Sequence, residues 1–389
     1  MKKRIGPAFR LAALLLALLF LCGCWNSREL SQLAVMMGIG IDQSPIDAKH
    51  MELTVQLAKP TSFQSEGGGG GEELPYWNLT YTDTDIFYGL REMSHQVSRK
   101  IYIPHNQFIL FGEDFARGGL QRSLDFFMRD HESRMEVLVM MARGKAADIL
   151  AVKPQLEQVP AIGLVELMHN QKANSHTLEV RLLDFVDQMV SETSTAMMPI
   201  VDLSENDEEP KVMLRGMAVF KTDKYVGDLD ARQTRGMMWV NNKIKSGAIE
   251  VQTPGGQAAV EIIKAKSKVT PVVKEDGSIV MQIKVRHDGA LASQQGTQNL
   301  SDKLGVQLLN REVKQAILDE MEAALLRSYE LKADIFGFGE TLRKKYPKLW
   351  ESLSDNWDEV YPTIKVEVDI DTRIISTGRL TAPAKPEME

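Results

Sequence analysis

Apolar residues recur along this chain at two different periods. Met51, Leu53, Val55 and Leu57 alternate with polar neighbours, as in a half-buried strand, and residues 363–375 alternate again near the C-terminus. Ile86, Leu90, Met93 and Val97 fall at helical spacing instead, with Asp83 or Thr84 placed to cap a helix over 84–100. The same spacing predicts a helix over 120–130, with Leu124, Phe127 and Met128 inward, and another over 178–190, built on Leu178, Leu182, Phe185 and Met189. Residues 304–331 form the longest helical stretch, with Val306, Leu309, Val313, Ile317 and Ala324 as its apolar stripe. Glu320 falls inside that stripe, where a carboxylate needs a partner or a path to water. Residues 33–41 are an apolar run broken by Gly38 and Gly40; 108–111, 135–141 and 212–221 read as strands, and 146–151 as a short helix. Strands over 258–268 and 278–286 face each other across a Lys-Glu-Asp-Gly turn at 274–277.

Strands and helices are intermixed with no internal repeat, so the expected fold is α+β, with mixed sheets and packed helices in two main modules or three subdomains. The segment 204–210 (Ser-Glu-Asn-Asp-Glu-Glu-Pro) has no apolar residue and reads as a linker between modules at 24–203 and 211–380, with a disordered tail at 381–389. Five consecutive glycines, 67–71, followed by two glutamates read as an exposed loop insertion. No strand-to-helix context surrounds them, as a dinucleotide-binding turn would require.

The N-terminus changes the picture from a soluble body to an anchored one. Lys2, Lys3, Arg4 and Arg10 precede eleven uninterrupted apolar residues, 11–21. A helix of that length covers only about half of the roughly 30 Å hydrocarbon core, so it reads as the apolar part of a signal peptide. It ends in Leu21-Cys22-Gly23-Cys24, which resembles the bacterial lipobox. That resemblance implies cleavage after Gly23 and a lipidated Cys24 as the new N-terminus, so 1–23 is the expected leader. An ordinary signal peptide and an uncleaved anchor are the competing readings.

Charge bears on partners. The chain carries 46 basic and 53 acidic residues, and loss of the four leader cations lowers its net charge from −7 to −11. An acidic excess argues against non-specific nucleic-acid binding and against electrostatic docking of the whole body on anionic lipid. The lipid is then the expected anchor, and two acyl chains hold stably where one does not.

Candidate chemistry is sparse. Cys22 and Cys24 are the only cysteines, and the mature chain keeps one. GxxxxGK[ST], GxSxG, SxxK and HExxH patterns are all absent. The histidines, at positions 50, 95, 105, 131, 169, 176 and 287, are scattered, with only His169 and His176 loosely paired. Asp369 and Asp371 share one face of the closing strand, where solubilising a sheet edge is a simpler role than acid–base work. The methionine pairs at 36–37, 140–141, 197–198 and 237–238 fit strands covered on both faces, or an adaptable protein interface. No catalytic, cofactor or metal residue is expected.

The segment Leu21-Cys22-Gly23-Cys24-Trp25-Asn26-Ser27-Arg28-Glu29-Leu30, then Gly38-Ile39-Gly40-Ile41-Asp42, resembles the start of the Ger(x)C family, the lipoprotein C-subunits of bacterial spore germinant receptors. The likeness continues through Leu90-Arg91-Glu92-Met93-Ser94, Ser98-Arg99-Lys100-Ile101-Tyr102 and His105. It resumes at Gly216-Met217-Ala218-Val219-Phe220, Val226-Gly227 and Arg235-Gly236-Met237-Met238-Trp239. Lys266-Ser267-Lys268-Val269, Asp334-Ile335-Phe336-Gly337-Phe338-Gly339, Tyr346-Pro347, Trp350 and Trp357 complete it. Asn26, where the family usually has aspartate, and the glycine loop depart from the pattern.

The resemblance implies a non-enzymatic, lipid-anchored receptor subunit at the outer face of the spore inner membrane. Its implied partners are a polytopic A-type and a transporter-like B-type subunit. It makes Gly216, Gly227, Gly236 and Gly337 architectural, and the pairs Arg91-Glu92 and Arg99-Lys100 helix-surface charges, either solvated or in contact with a partner. An extracytoplasmic solute-binding lipoprotein is the alternative; it would show repeated βαβ units in two similar lobes. A cell-wall hydrolase would show a catalytic set.

Overall fold

The computed structural model describes residues 32–378 apart from 60–73, 194, 206–207 and 297. The leader, Cys24, the glycine loop and the C-terminal tail lie outside the described residues.

In the N-terminal half the strands are β1 (Leu33–Gln43), β2 (Met51–Ala58), β3 (Tyr76–Asp83), β4 (Lys100–Tyr102), β5 (Phe108–Gly112), β6 (Leu138–Ala142) and β7 (Ala196–Leu203). Its helices are α1 (Ile86–Met93), α2 (Glu113–Gly118), α3 (Gln121–Arg129), α4 (Ala146–Ala151), α5 (Pro160–Asn170) and α6 (Leu182–Met189). The C-terminal half adds β8 (Val212–Lys221), β9 (Lys224–Leu229), β10 (Ala248–Thr253), β11 (Gly256–Val273), β12 (Ile279–Gln294) and β13 (Lys365–Ser376). Its helices are α7 (Ala231–Val240), α8 (Lys303–Glu330), α9 (Phe338–Lys345), α10 (Pro347–Glu351) and α11 (Trp357–Val360).

The fold is α+β with two mixed sheets. The first runs β3-β2-β1-β5-β6-β7-β8-β9, with β4 pairing beside the start of β1; the second runs β10-β11-β12-β13. In the first sheet β1, β5, β6 and β7 are parallel and the outer strands antiparallel. Parallel strands need helical crossovers that cover both faces, which explains the all-apolar β5 and β6. Phe108, Leu110 and Met140 turn toward one core, against α4 and α5, while Ile109, Phe111 and Met141 turn toward the other. Met36 and Met37 split the same way. Met237 and Met238 are also buried, but on helix α7.

The strands that flank the expected linker 204–210, β7 and β8, pair antiparallel with each other. The Ser204 amide donates to the Lys211 carbonyl at 2.9 Å. The first sheet therefore continues through the expected boundary, and its last two strands come from the C-terminal half.

Two helices are shorter than their periodicity suggests, each because a competing pairing intervenes. The helix expected over 84–100 is α1 alone. Asp85 caps it by accepting the Tyr88 amide at 3.1 Å, one residue past the expected caps. The Ser94 hydroxyl donates to the Arg91 carbonyl and ends it. Lys100 then opens β4, so Arg99-Lys100 is not helical. Ahead of α6, Val180 accepts the Val139 amide and Arg181 bridges to Leu138, which holds 178–181 extended. On α3, Leu124 and Phe127 are buried, but Met128 is 42% exposed.

Candidate functional site

The functionally suggestive residues meet where α7 lies along α8, beneath the second sheet. Asp230 caps α7 in a reciprocal capping box with Gln233. Gly236, one turn on, faces the α8 backbone so closely that a Cβ would overlap the Glu320 carbonyl oxygen. This close crossing brings Glu320 against α7. Its carboxylate receives both Arg235 Nε (2.9 Å to Oε2) and the Arg235 terminal amino group, and Trp239 Nε1 donates to Oε2 at 2.9 Å. The partner that the sequence demands for a carboxylate in an apolar stripe is thus a bidentate guanidinium with an indole beside it. Arg235 also donates to the Ala248 carbonyl at 2.9 Å, tying the pair to the first strand of the second sheet.

Trp239 meets the ring of His287 edge-on at 5.9 Å. His287 is fully buried on β12, and neither ring nitrogen has a hydrogen-bond partner among the described residues. Burial holds its pKa down to about 4, so the ring is neutral. Its in-register neighbour on β13, Thr372, likewise leaves its hydroxyl unpartnered. His176 is pushed below its usual range by burial, with the Arg235 charge adding to the effect. It has no pairing with His169, whose Nε2 lies 3.9 Å from Glu179.

A second buried carboxylate organises the turn into α9. Asp334 accepts the amides of Phe338 (2.9 Å) and Gly339 (2.7 Å) and the indole N–H of Trp357 (3.2 Å). Burial raises its pKa to about 6 despite these donors. Gly337 takes φ +65° at the helix start, a left-handed position that suits glycine. In the first sheet Asp42 does similar work, accepting the amides of Ala146 (2.7 Å) and Ala147 (3.0 Å) at the start of α4; burial raises its pKa too.

Asp369 and Asp371 are exposed on the edge strand β13, beside Lys284 and Arg286 in register. Arg91 stacks over Phe87 and Lys100 pairs with Glu132 at 2.9 Å, both at the surface. A shallow cleft of about 490 Å3 opens between the end of α6 and α9, where Thr193 donates to Glu340 at 3.0 Å. Among the described residues no three His, Cys, Asp or Glu side chains cluster as metal ligands, and no helix is long and apolar enough to cross a membrane.

The class of protein defined by this arrangement is a two-sheet α+β body whose distinctive residues are spent on packing. Comparison with known proteins places it further. A family model described as Spore germination protein N-terminal domain matches residues 26–203, and one described as Spore germination B3/ GerAC like, C-terminal, matches residues 215–378. The chain belongs to the Ger(x)C family of spore germination proteins. Spore germination protein KC of Bacillus subtilis (strain 168) is 26% identical over 97% of each chain. Spore germination protein B3 of the same organism is 27% identical over 95% of this chain and 98% of its own. The crystal structure of the GerBC protein superposes with a TM-score of 0.56 at 23% identity, covering 87% of this chain and 97% of that one, a likeness of fold.

Proposed function

We propose that this chain is a lipid-anchored, non-enzymatic subunit of a spore germinant receptor, acting through protein contacts at the outer face of the spore inner membrane. The observation that carries the reading is that both halves match spore germination domains across nearly the whole body. Its motif residues fit this reading: Gly236, Arg235, Trp239, Asp334 and Trp357 are engaged in packing and internal hydrogen bonds. In this reading residues 1–23 are the leader, Cys24 carries the acyl chains, modules 24–203 and 211–380 form the body, and 381–389 is a tail. The partners are polytopic A-type and B-type subunits. Confinement at the bilayer raises the effective concentration toward such partners to the order of millimolar, so individual contacts can be weak.

Metabolic labelling with a fatty-acid probe tests the anchor: label on the wild type and none on Cys24→Ala is expected, and equal label on both would sink it. Assembly tests the role. An unrelated transmembrane anchor in place of the lipid should restore the complex and the germinant response, while the untethered body should not. Full restoration by the untethered body at native abundance would overturn the reading.

A further inference from the structure

The second sheet has one open face, and cations cluster at its centre. After the bulge between Ile262 and Lys264, the outward row of β11 is Lys264, Lys266 and Lys268; beside it on β12 stand Lys284 and Arg286. All five are exposed, and none has an ion pair or side-chain hydrogen bond among the described residues. Register places Lys266 directly opposite Arg286 and Lys268 directly opposite Lys284. Like charges opposite one another across strands are destabilising, so the β11–β12 pairing works against folding here, while on the far side of β12 the register sets Asp369 beside Lys284 and Asp371 beside Arg286. The loop after α7 runs along the same β11 edge, its Asn242 side chain accepting the Ser267 amide at 2.8 Å, and it adds exposed Lys243 and Lys245. The acidic groups of this face flank the cations, Glu250 on β10 and Glu261 on β11 to one side and Glu367, Asp369 and Asp371 on β13 to the other, and four of the face's charges are paired off: Glu367 with Lys274, and Asp288 with Arg373 at 3.4 Å.

We infer that the β11–β12 face docks on an anionic lipid surface. Four of the five cations are lysines, and lysine is depleted in protein–protein interfaces; clusters of several Lys and Arg at a membrane-proximal surface are how proteins bind anionic headgroups. The face is an open sheet with long, uncommitted cationic side chains, which suits a planar array of phosphates. The body's overall negative charge does not forbid this. The Debye length is about 8 Å at physiological salt, so charges elsewhere on the body are largely screened from a surface touching this face. The inference rests on the lipid-anchor reading, which holds the body beside a bilayer; the docked face would then fix its orientation there.

The test uses the chain from Trp25 onward, which retains every residue of both cores, with vesicles of phosphatidylcholine alone or with about one-third phosphatidylglycerol. Co-sedimentation with the anionic vesicles only, weakened by raising the salt, is expected. Lys266→Glu/Lys268→Glu should lower that partitioning by at least tenfold. Lys49→Glu/Lys314→Glu, which makes the same change in net charge at exposed positions elsewhere, should lower it less than threefold. Circular dichroism and urea midpoints confirm that each variant is folded. Equal binding to neutral vesicles, no binding to anionic ones, or equal loss in both double variants overturns the proposal. Capture of polyglutamate in place of vesicles would do so as well, by assigning the face to an acidic protein. None of these results depends on acylation, so labelling of Cys24 succeeds or fails independently.

Discussion

The two sheets bury themselves differently, and the difference separates what holds this protein together from what it can offer a partner. In the first sheet the central strands β5 and β6 are buried at every residue, because crossover helices cover both faces. In the second, β11, β12 and β13 alternate, with α7 and α8 packed on one face and water on the other. A continuous apolar run leaves no side chain free for recognition, whereas an alternating strand gives up half its residues to the surface. The first sheet is therefore a stability element. The second is both a stability element and a surface.

The sharpest way to break this comparison is to truncate equivalent positions. Phe108→Ala in β5 removes a fully buried ring that also packs against Gly38. It should cost roughly 4 kcal/mol by urea denaturation. Lys284→Ala on the open face should stay within about 0.5 kcal/mol. Similar losses at both sites would mean that the second sheet's outer face is covered after all.

The next effect lies beneath the second sheet. Glu320→Ala strands the Arg235 guanidinium and the Trp239 N–H in a buried site and should cost roughly 3 kcal/mol. Replacing both charges by apolar groups, Arg235→Met with Glu320→Leu, should recover most of that loss, since the desolvation of the pair is removed along with its attraction. A double variant no better than the single one would show that the ion pair itself holds α7 on α8.

Acid titration sharpens the comparison further, because the buried groups of this region pull in opposite directions. His287 has its pKa held down to about 4 against an ordinary 6.5. Between those values the unfolded chain binds the proton and the folded chain does not, so stability present above pH 6.5 is lost as pH falls toward 4. Asp334, raised to about 6 from 3.8, keeps its proton in the folded state over nearly the same window, so its contribution is present below pH 4 and lost as pH rises toward 6. Asp42, also raised, acts in the same direction as Asp334. Each of these two displacements, for His287 and Asp334, corresponds to about 3 kcal/mol, and in the wild type they largely offset. His287→Leu removes one side of the balance, and with it two unpartnered ring nitrogens. The variant should gain stability as the pH is lowered from 6 to 4 while the wild type stays nearly flat. Parallel curves would mean that His287 is hydrated within the sheet.

Much of this fold is legible in the sequence, for identifiable reasons. β2 and α8 carry unbroken periodicity, and their limits follow from it within a residue or so. Glu320 announces its need for a partner by standing in an apolar stripe. What is not legible depends on pairing between distant segments. The helical spacing of Leu178 is overridden by the bridge from Arg181 to Leu138, and Val97 lies past a helix that Ser94 ends. The polar 204–210 segment reads as a linker, and composition does not show that the strands on either side of it pair. The basic face escapes for the same reason. Lys266 and Lys268 are ordinary alternating residues in one strand, and only the register of β11 on β12 brings them against Arg286 and Lys284. The overall acidic charge conceals the cluster entirely.

The smallest expected effect asks whether that face is kept at the expense of folding. Lys268→Glu turns the like-charge pair with Lys284 into an opposite-charge pair on an exposed sheet surface, where such pairs contribute roughly 0.2–1 kcal/mol. The variant should be more stable than the wild type by roughly 0.5 kcal/mol in low salt, read from the urea midpoint at unchanged slope. Added salt should narrow the difference, since it screens the repulsion in the wild type and the attraction in the variant. The same substitution is expected to weaken adsorption to anionic vesicles, so stability and binding would move in opposite directions at one residue. A purely structural role for Lys268 predicts the reverse sign in the first measurement and no change in the second. If Lys268→Glu is neutral or destabilising in low salt, the cations are relaxed by solvent, and the face carries no cost that binding must explain.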